Sequence, residues 1–174
     1  MKLVYTSLYS TMYTQLENDI KYLESNKNQL SAIQFEHEEI RISEYLYNVL
    51  ENDHMGFYDI LSSAKYYNLN ITKYLNNLRV YNTWYGNILH CLVHLVGRLK
   101  VHQKTPFYGY NSHIPDEFAV KILIKLMKHN VDLYSTNYYN NTPFDCINTD
   151  SITKRTNNTL FKAKLIHYYD LQSF

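Results

Sequence analysis

With 174 residues, 45% hydrophobic and 19% charged, the chain can bury a core of ordinary size and is too apolar to be intrinsically disordered. A formal net charge of +1 supplies no field that would favour a nucleic acid or an anionic membrane. Two cysteines, Cys91 and Cys146, argue against a disulfide framework and fit a reducing compartment.

No stretch approaches the ~20 apolar residues of a membrane span, and polar residues interrupt the N-terminus every few positions, so neither a signal peptide nor a membrane anchor is expected. Without a secretory signal the Asn-x-Thr triplets beginning at Asn70, Asn140 and Asn157 read as fortuitous. The expected location is inside a cell, the cytoplasm first and the nucleus second. The 19 tyrosines mark a candidate binding platform, although an AT-rich genome accounts for the same bias more simply.

Met12, Leu16, Ile20 and Leu23 recur at helical spacing and predict a helix over residues 10–27, with a break at Asn26-Lys27-Asn28. A second helix follows through Ile33, Ile40, Ile42, Leu46 and Leu50, ending near Asn52-Asp53. Gly56 reads as a turn. Short helices are predicted from Phe57, Ile60, Leu61 and Ala64, and over residues 71–78, with a turn at Asn68-Leu69-Asn70 between them.

Asn87 opens a helix that runs to about Leu99. Residues 101–115, which lack any period, read as an inserted loop. Pro115 or Asp116 starts the helix of Phe118, Ile122, Leu123 and Leu126. A bent loop over residues 129–141, a helix from Thr142, a polar loop over 150–158 and a final amphipathic helix over 160–171 complete the chain. No segment alternates at period two for long enough to predict a strand. The reading is all-α, with short helices and Asn-rich turns in the texture of a solenoid.

The segment Asn130-Val131-Asp132, followed after a loop by Thr142-Pro143-Phe144-Asp145, resembles the ankyrin repeat. There a Gly-Ala-Asp turn leaves one helix pair and Thr-Pro-Leu-His opens the next. Asn130 and Asn140 stand where glycine is usual, and Asn137 stands where the loop aspartate falls. Asparagine tolerates the left-handed conformation those bends need better than any other residue with a side chain. Thr142 can cap a helix whose first turn accepts Pro143, and Phe144, Ile122, Leu123 and Leu126 are expected to fill the inter-repeat core.

Upstream, Tyr85-Gly86-Asn87-Ile88-Leu89-His90 aligns Leu89-His90 with the Leu-His pair. Leu89 and Phe144 lie 55 residues apart, about 22 more than one ~33-residue period, and the excess falls in the inserted loop. The "GN-LHCL" opening, the extended loop before Ile-Pro-Asp-Glu and the closing "NNTPFDCI" resemble the poxvirus ankyrin proteins of host-range type, over residues 81–147.

That resemblance implies an ankyrin-type helical solenoid with degenerate repeats over residues 54–174, clearest over 82–147, and a helical N-terminal cap over 1–53. It further implies a non-catalytic module that binds host proteins and modulates host defence or host range. In that family a C-terminal F-box-like segment often couples the array to a cullin-type ubiquitin ligase. Only one helix follows the last loop here, which makes a truncated member without that coupling the expectation. A decaying gene product with no retained activity is the alternative.

Chemistry-bearing constellations are incomplete. His90 and His94 stand at i and i+4 beside Cys91, a spacing that zinc can use. No H-E-x-x-H arrangement and no second ligand pair accompany them, and in the repeat register His90 is a structural histidine that bonds backbone. Cys91 and Cys146 occupy equivalent repeat positions and read as small buried residues. His54 beside Asp53 and Asp59 reads as a polar turn, and no glycine-rich phosphate loop exists.

Neither a catalytic residue, nor a metal, nor a cofactor is therefore expected. Lys100, His102, Lys104, Phe107, Tyr108 and Tyr110 combine basic and aromatic character in the long loop, which suits a protein contact better than a nucleic acid. The expected partner surface joins Phe107, Tyr108 and Tyr110 with the hairpin-tip residues Trp84, Tyr85, Tyr138 and Tyr139.

Overall fold

The structure is a computed structural model that describes residues 2–80, 83–97, 114–149 and 159–172. Two long helices come first, α1 (Lys2–Ser25) and α2 (Ala32–Asn52). The first begins eight residues before the expected start. Its register nevertheless buries Tyr13, Leu16, Ile20 and Leu23, so that three of the four expected stripe residues are in the core and Tyr13 is buried where Met12, only half-buried, was expected. At the start of α2, Ser31 and Gln34 form a capping box: the Gln34 amide donates to the Ser31 hydroxyl while the Gln34 side chain accepts the Ser31 amide.

One residue separates α2 from α3 (His54–Tyr66). Asp53 ends the former and caps the latter, its carboxylate accepting the Gly56 amide at 2.9 Å. Gly56 is thus inside the first turn of a helix and not a turn of its own. A Cβ there would lie 2.6 Å from the Asp53 carboxylate and 3.1 Å from the Met12 sulfur, so close approach is what calls for glycine.

After α4 (Thr72–Asn76) the expected continuation to Leu78 does not occur. Residues Leu78–Val80 form β1, which pairs antiparallel with β2 (Thr83–Gly86). Strands of three and four residues are too short to display an alternation, which is why no strand was expected here. The hairpin is an addition to an otherwise helical chain, which continues with α5 (Ile88–Gly97), α6 (Asp116–Lys128), α7 (Pro143–Thr149) and α8 (Thr159–Gln172). The expected inserted loop, apart from its last two residues, and the expected loop over 150–158 lie outside the described residues.

Helices pack in two rows. In one, α1 lies on α3, α3 on α6 and α6 on α8; in the other, α2 reaches α5 and α5 lies on α7. One buried apolar cluster runs through both rows, from Leu16 and Ile20 through Leu61, Leu89 and Leu123 to Phe161 and Leu165. The alignment of α6 with α8 is fixed by Asp116. From the first turn of α6, its carboxylate accepts the Leu160 and Phe161 amides at 3.1 and 3.0 Å, which places the two N-termini side by side.

An internal repeat is built into this packing. Ile60, Leu61 and Ala64 of α3 stand where Ile122, Leu123 and Leu126 stand in α6, and all six are buried. Each helix then ends the same way. Asn68 (φ 56°) and Asn130 (φ 54°) take the left-handed conformation, and the next residue's amide turns back to the helix, Leu69 to Ala64 at 2.8 Å and Val131 to Leu126 at 3.3 Å. Two residues past each asparagine the side chain repeats the device: Asn70 accepts the Thr72 amide, and Asp132 accepts the Tyr134 amide.

Candidate protein-binding surface

The segment between α6 and α7 leaves one helix at a left-handed asparagine, projects, and returns into the next helix. Asn137 organises the projection. Its side-chain oxygen accepts the Tyr139 and Asn141 amides at 2.9 and 3.1 Å, its own amide donates to the Asn141 carbonyl at 3.0 Å, and the Asn140 amide donates back to its carbonyl. Asn140 sits at φ 59°, the second bend at which asparagine replaces the expected glycine.

Tyr138 and Tyr139 stand on that tip, 70% and 77% exposed, with rings edge to face at 5.4 Å. They bury almost nothing in this chain. A rigid backbone therefore holds two uncovered aromatic rings in a fixed geometry.

The starts of α5 and α7 are closed by one device in two versions. At α7, the Thr142 hydroxyl accepts the Asp145 amide while the Asp145 carboxylate accepts the Thr142 amide at 2.9 Å and the Thr142 hydroxyl at 2.7 Å. Those bonds hold the Asp145 carboxyl below its ordinary range. At α5, Asn87 takes the threonine's place and His90 the aspartate's. The Asn87 side chain accepts the Leu89 amide, and the Asn87 amide donates to His90 Nδ1 at 3.1 Å.

His90 Nδ1 also lies 2.9 Å from the Asn87 side-chain oxygen, and Nε2 lies 2.9 Å from the Asn141 carbonyl, so both ring nitrogens are engaged. Burial lowers the pKa of the ring from its ordinary value, against the opposing pull of its bonds to Asn141 and Asn87. Gly86 makes room for it: at φ 99° a Cβ would lie 2.6 Å from the imidazole. The expected structural role of His90 thus rests on both ring nitrogens. Among the described residues no group of three or more His, Cys, Asp or Glu that could hold a metal ion is gathered.

Side chains missed in the sequence tie these parts together. From α4, Asn76 accepts the Asp132 amide at 2.8 Å, and from the start of α5, Asn87 donates to the Asp132 carbonyl at 2.6 Å. Asp132 is therefore a joint between units. Tyr169 of α8 does the same for the last pair, donating to the Leu133 carbonyl, accepting the Phe144 amide at 3.3 Å, and packing its ring against Tyr134 and Phe144. An asparagine three residues before His90, matching Thr142 before Asp145, was the available signal for Asn87. Nothing in the sequence marked Tyr169.

Other expectations need correction or placement. Phe144 is half-buried against Tyr169, while Pro143 and Ile147 face inward at α7, so the core role passes to them. Leu89 is fully buried. Cys91 is buried and Cys146 half-buried, both unbridged, with the Asn137 side chain donating to the Cys146 sulfur. His54 packs edge to face on Phe118. Trp84 and Tyr85 lie on the returning strand β2, Trp84 opposite Arg79; the positions of their side chains, and all of Phe107, Tyr108 and Tyr110, lie outside what the structure describes. Tyr66 and Tyr67, at the end of α3, are exposed aromatics that the sequence did not single out.

No helix among the described residues is long and apolar enough to cross a membrane. No family model, curated protein or solved structure matches the chain.

Proposed function

We propose that this chain is a non-catalytic protein-binding module: an ankyrin-type helical solenoid capped by α1 and α2, presenting the tips between its helix pairs to a partner. The observation that carries this reading is the tip itself. Asn137 fixes a projecting backbone on which Tyr138 and Tyr139 stand uncovered, between helix starts closed by matching devices. Large aromatic rings held rigidly in solvent are what protein interfaces use as anchors, since they bring area with little side-chain entropy to lose. Repetition of the α3 exit at α6 and of the α5 start at α7 supports a repeat array.

The resemblance of residues 81–147 to poxvirus ankyrin proteins extends the proposal to a viral product that binds host proteins inside the cell and modulates host defence or host range. Trp84 and Tyr85 on β2 belong to the same proposed surface, and so do Phe107, Tyr108 and Tyr110, which lie outside the described residues. Replacing Trp84, Tyr85, Tyr138 and Tyr139 together with alanine is expected to abolish capture of partners by the tagged chain from mammalian cells. Circular dichroism should show the helix content unchanged. Unimpaired capture by a folded variant would remove this surface from the proposal.

A further inference from the structure

The end of α6 is held by the preceding unit through a set of bonds with one titratable member. Thr72 donates its hydroxyl to the His129 carbonyl at 2.9 Å, Lys65 donates to the Lys128 carbonyl at 3.4 Å, and Asn76 reaches the Asn130 carbonyl and the Asp132 amide. In their midst the His129 ring, 6% exposed, donates from Nε2 to the Leu61 carbonyl of α3 at 2.8 Å, across 68 residues of sequence. We propose that His129 is an acid-released latch: neutral, it pins the exit of α6 to α3, and protonated, it lets that exit and the following projection come away.

The surroundings give the latch its direction. The charged groups acting on the ring are Lys65 from α3 and Lys125 from α6, both cationic. From α4 the neighbours are Thr72 and Asn76, which carry no charge. The Asp132 carboxylate, three residues on, is turned to the Tyr134 amide. A second proton on His129 therefore adds positive charge to a buried ring on which two lysine charges already act. Burial first, then those lysines, hold the ring below its ordinary value of 6.5, against the opposing pull of the Leu61 carbonyl.

The sign follows. When the exit opens, the ring recovers its ordinary affinity for protons, so the open form binds a proton that the closed form refuses. The latch is at full strength above pH 6.5 and weakens as pH falls below it, until the closed form itself titrates. Release would also loosen the base of the Tyr138–Tyr139 tip. A consequent loss of partner in acid rests on the function proposed above, whereas the latch does not.

Hydrogen exchange of the Asp132 amide tests the latch without any partner, because its bond to Asn76 of α4 exists only while the exit is closed. After correction for the intrinsic pH dependence of exchange, its protection in the intact chain should fall about tenfold per pH unit between 6.5 and the pH at which the closed ring titrates. His129→Gln retains a donor for Leu61 and should abolish that slope. An equal slope in His129→Gln, or none in the wild type, overturns the proposal. Should the variant fail to fold, an NMR titration of the wild-type His129 ring decides: a pKa at or above 6.5 overturns the latch, and a lower one supports it.

Discussion

Asn68, Asn130 and Asn140 occupy backbone conformations, at φ 56°, 54° and 59°, that cost a residue with a Cβ roughly 1–2 kcal/mol. Asparagine lessens that cost because its short polar side chain bonds locally, and glycine escapes it altogether. Asn130→Gly is therefore expected to leave stability within a few tenths of a kcal/mol of the wild type. Asn130→Ala should lower it by about 1 kcal/mol, read as a fall in the denaturant midpoint at unchanged slope. Equal midpoints for the two variants would mean that the bend does not select its residue. The same logic runs in reverse at Gly86, where a φ of 99° and the neighbouring imidazole leave no place for a side chain. Asparagine thus serves the bends where only the dihedral matters, and at Gly56 and Gly86 glycine stands where an approaching atom matters too.

At the scale of the element, most helices were legible because their apolar stripes repeat at 3.6 residues, and the stripe of Leu16, Ile20 and Leu23 is the buried one. The exit of α6 and the start of α7 were legible because their chemistry is local. Asn130, Asn140 and Thr142 act within a few residues of themselves, so the sequence carries their geometry. Three things were not legible, each for a physical reason. The β1–β2 hairpin is shorter than any period that would reveal it. Gly56 looked like a turn because the approach of Asp53 and Met12 that demands it is tertiary. Joints such as Asn76 with Asp132, or Tyr169 with Leu133, span 56 and 36 residues and leave no spacing to read.

Helix starts in this fold also divide by range. Thr142 caps its own helix, whereas Asp116 caps α8 from another. Thr142→Ala and Asp116→Ala are each expected to cost about 1 kcal/mol. Only Asp116→Ala should raise hydrogen exchange at Leu160 and Phe161, while Thr142→Ala raises it at Asp145. Exchange spreading equally over both helices in either variant would show that the caps act on the array as a whole.

For the whole molecule the question is whether the N-terminal helices are a cap or a separate body. The buried cluster passes without interruption from α1 through α3 and α6 to α8, and along that row each helix packs on the next. In such an array stability is close to a sum of unit and neighbour terms, and a defect at one end reaches the other only through intact interfaces. Leu16, fully buried in α1, and Trp84, the single tryptophan, on β2, make this measurable.

Leu16→Ala removes buried volume at a cost of roughly 2–5 kcal/mol. For a chain of this length that corresponds to a fall in Tm of roughly 4–20 °C. If α1 and α2 are a cap on one cooperative array, Trp84 fluorescence and far-ultraviolet circular dichroism should shift together by that amount. A variant in which the dichroism loses an early fraction while the Trp84 transition stays at its wild-type midpoint would show residues 2–52 melting on their own. The first two helices would then be a separate domain resting on the other helices, and the latch proposed at His129 would open a molecule already in two parts.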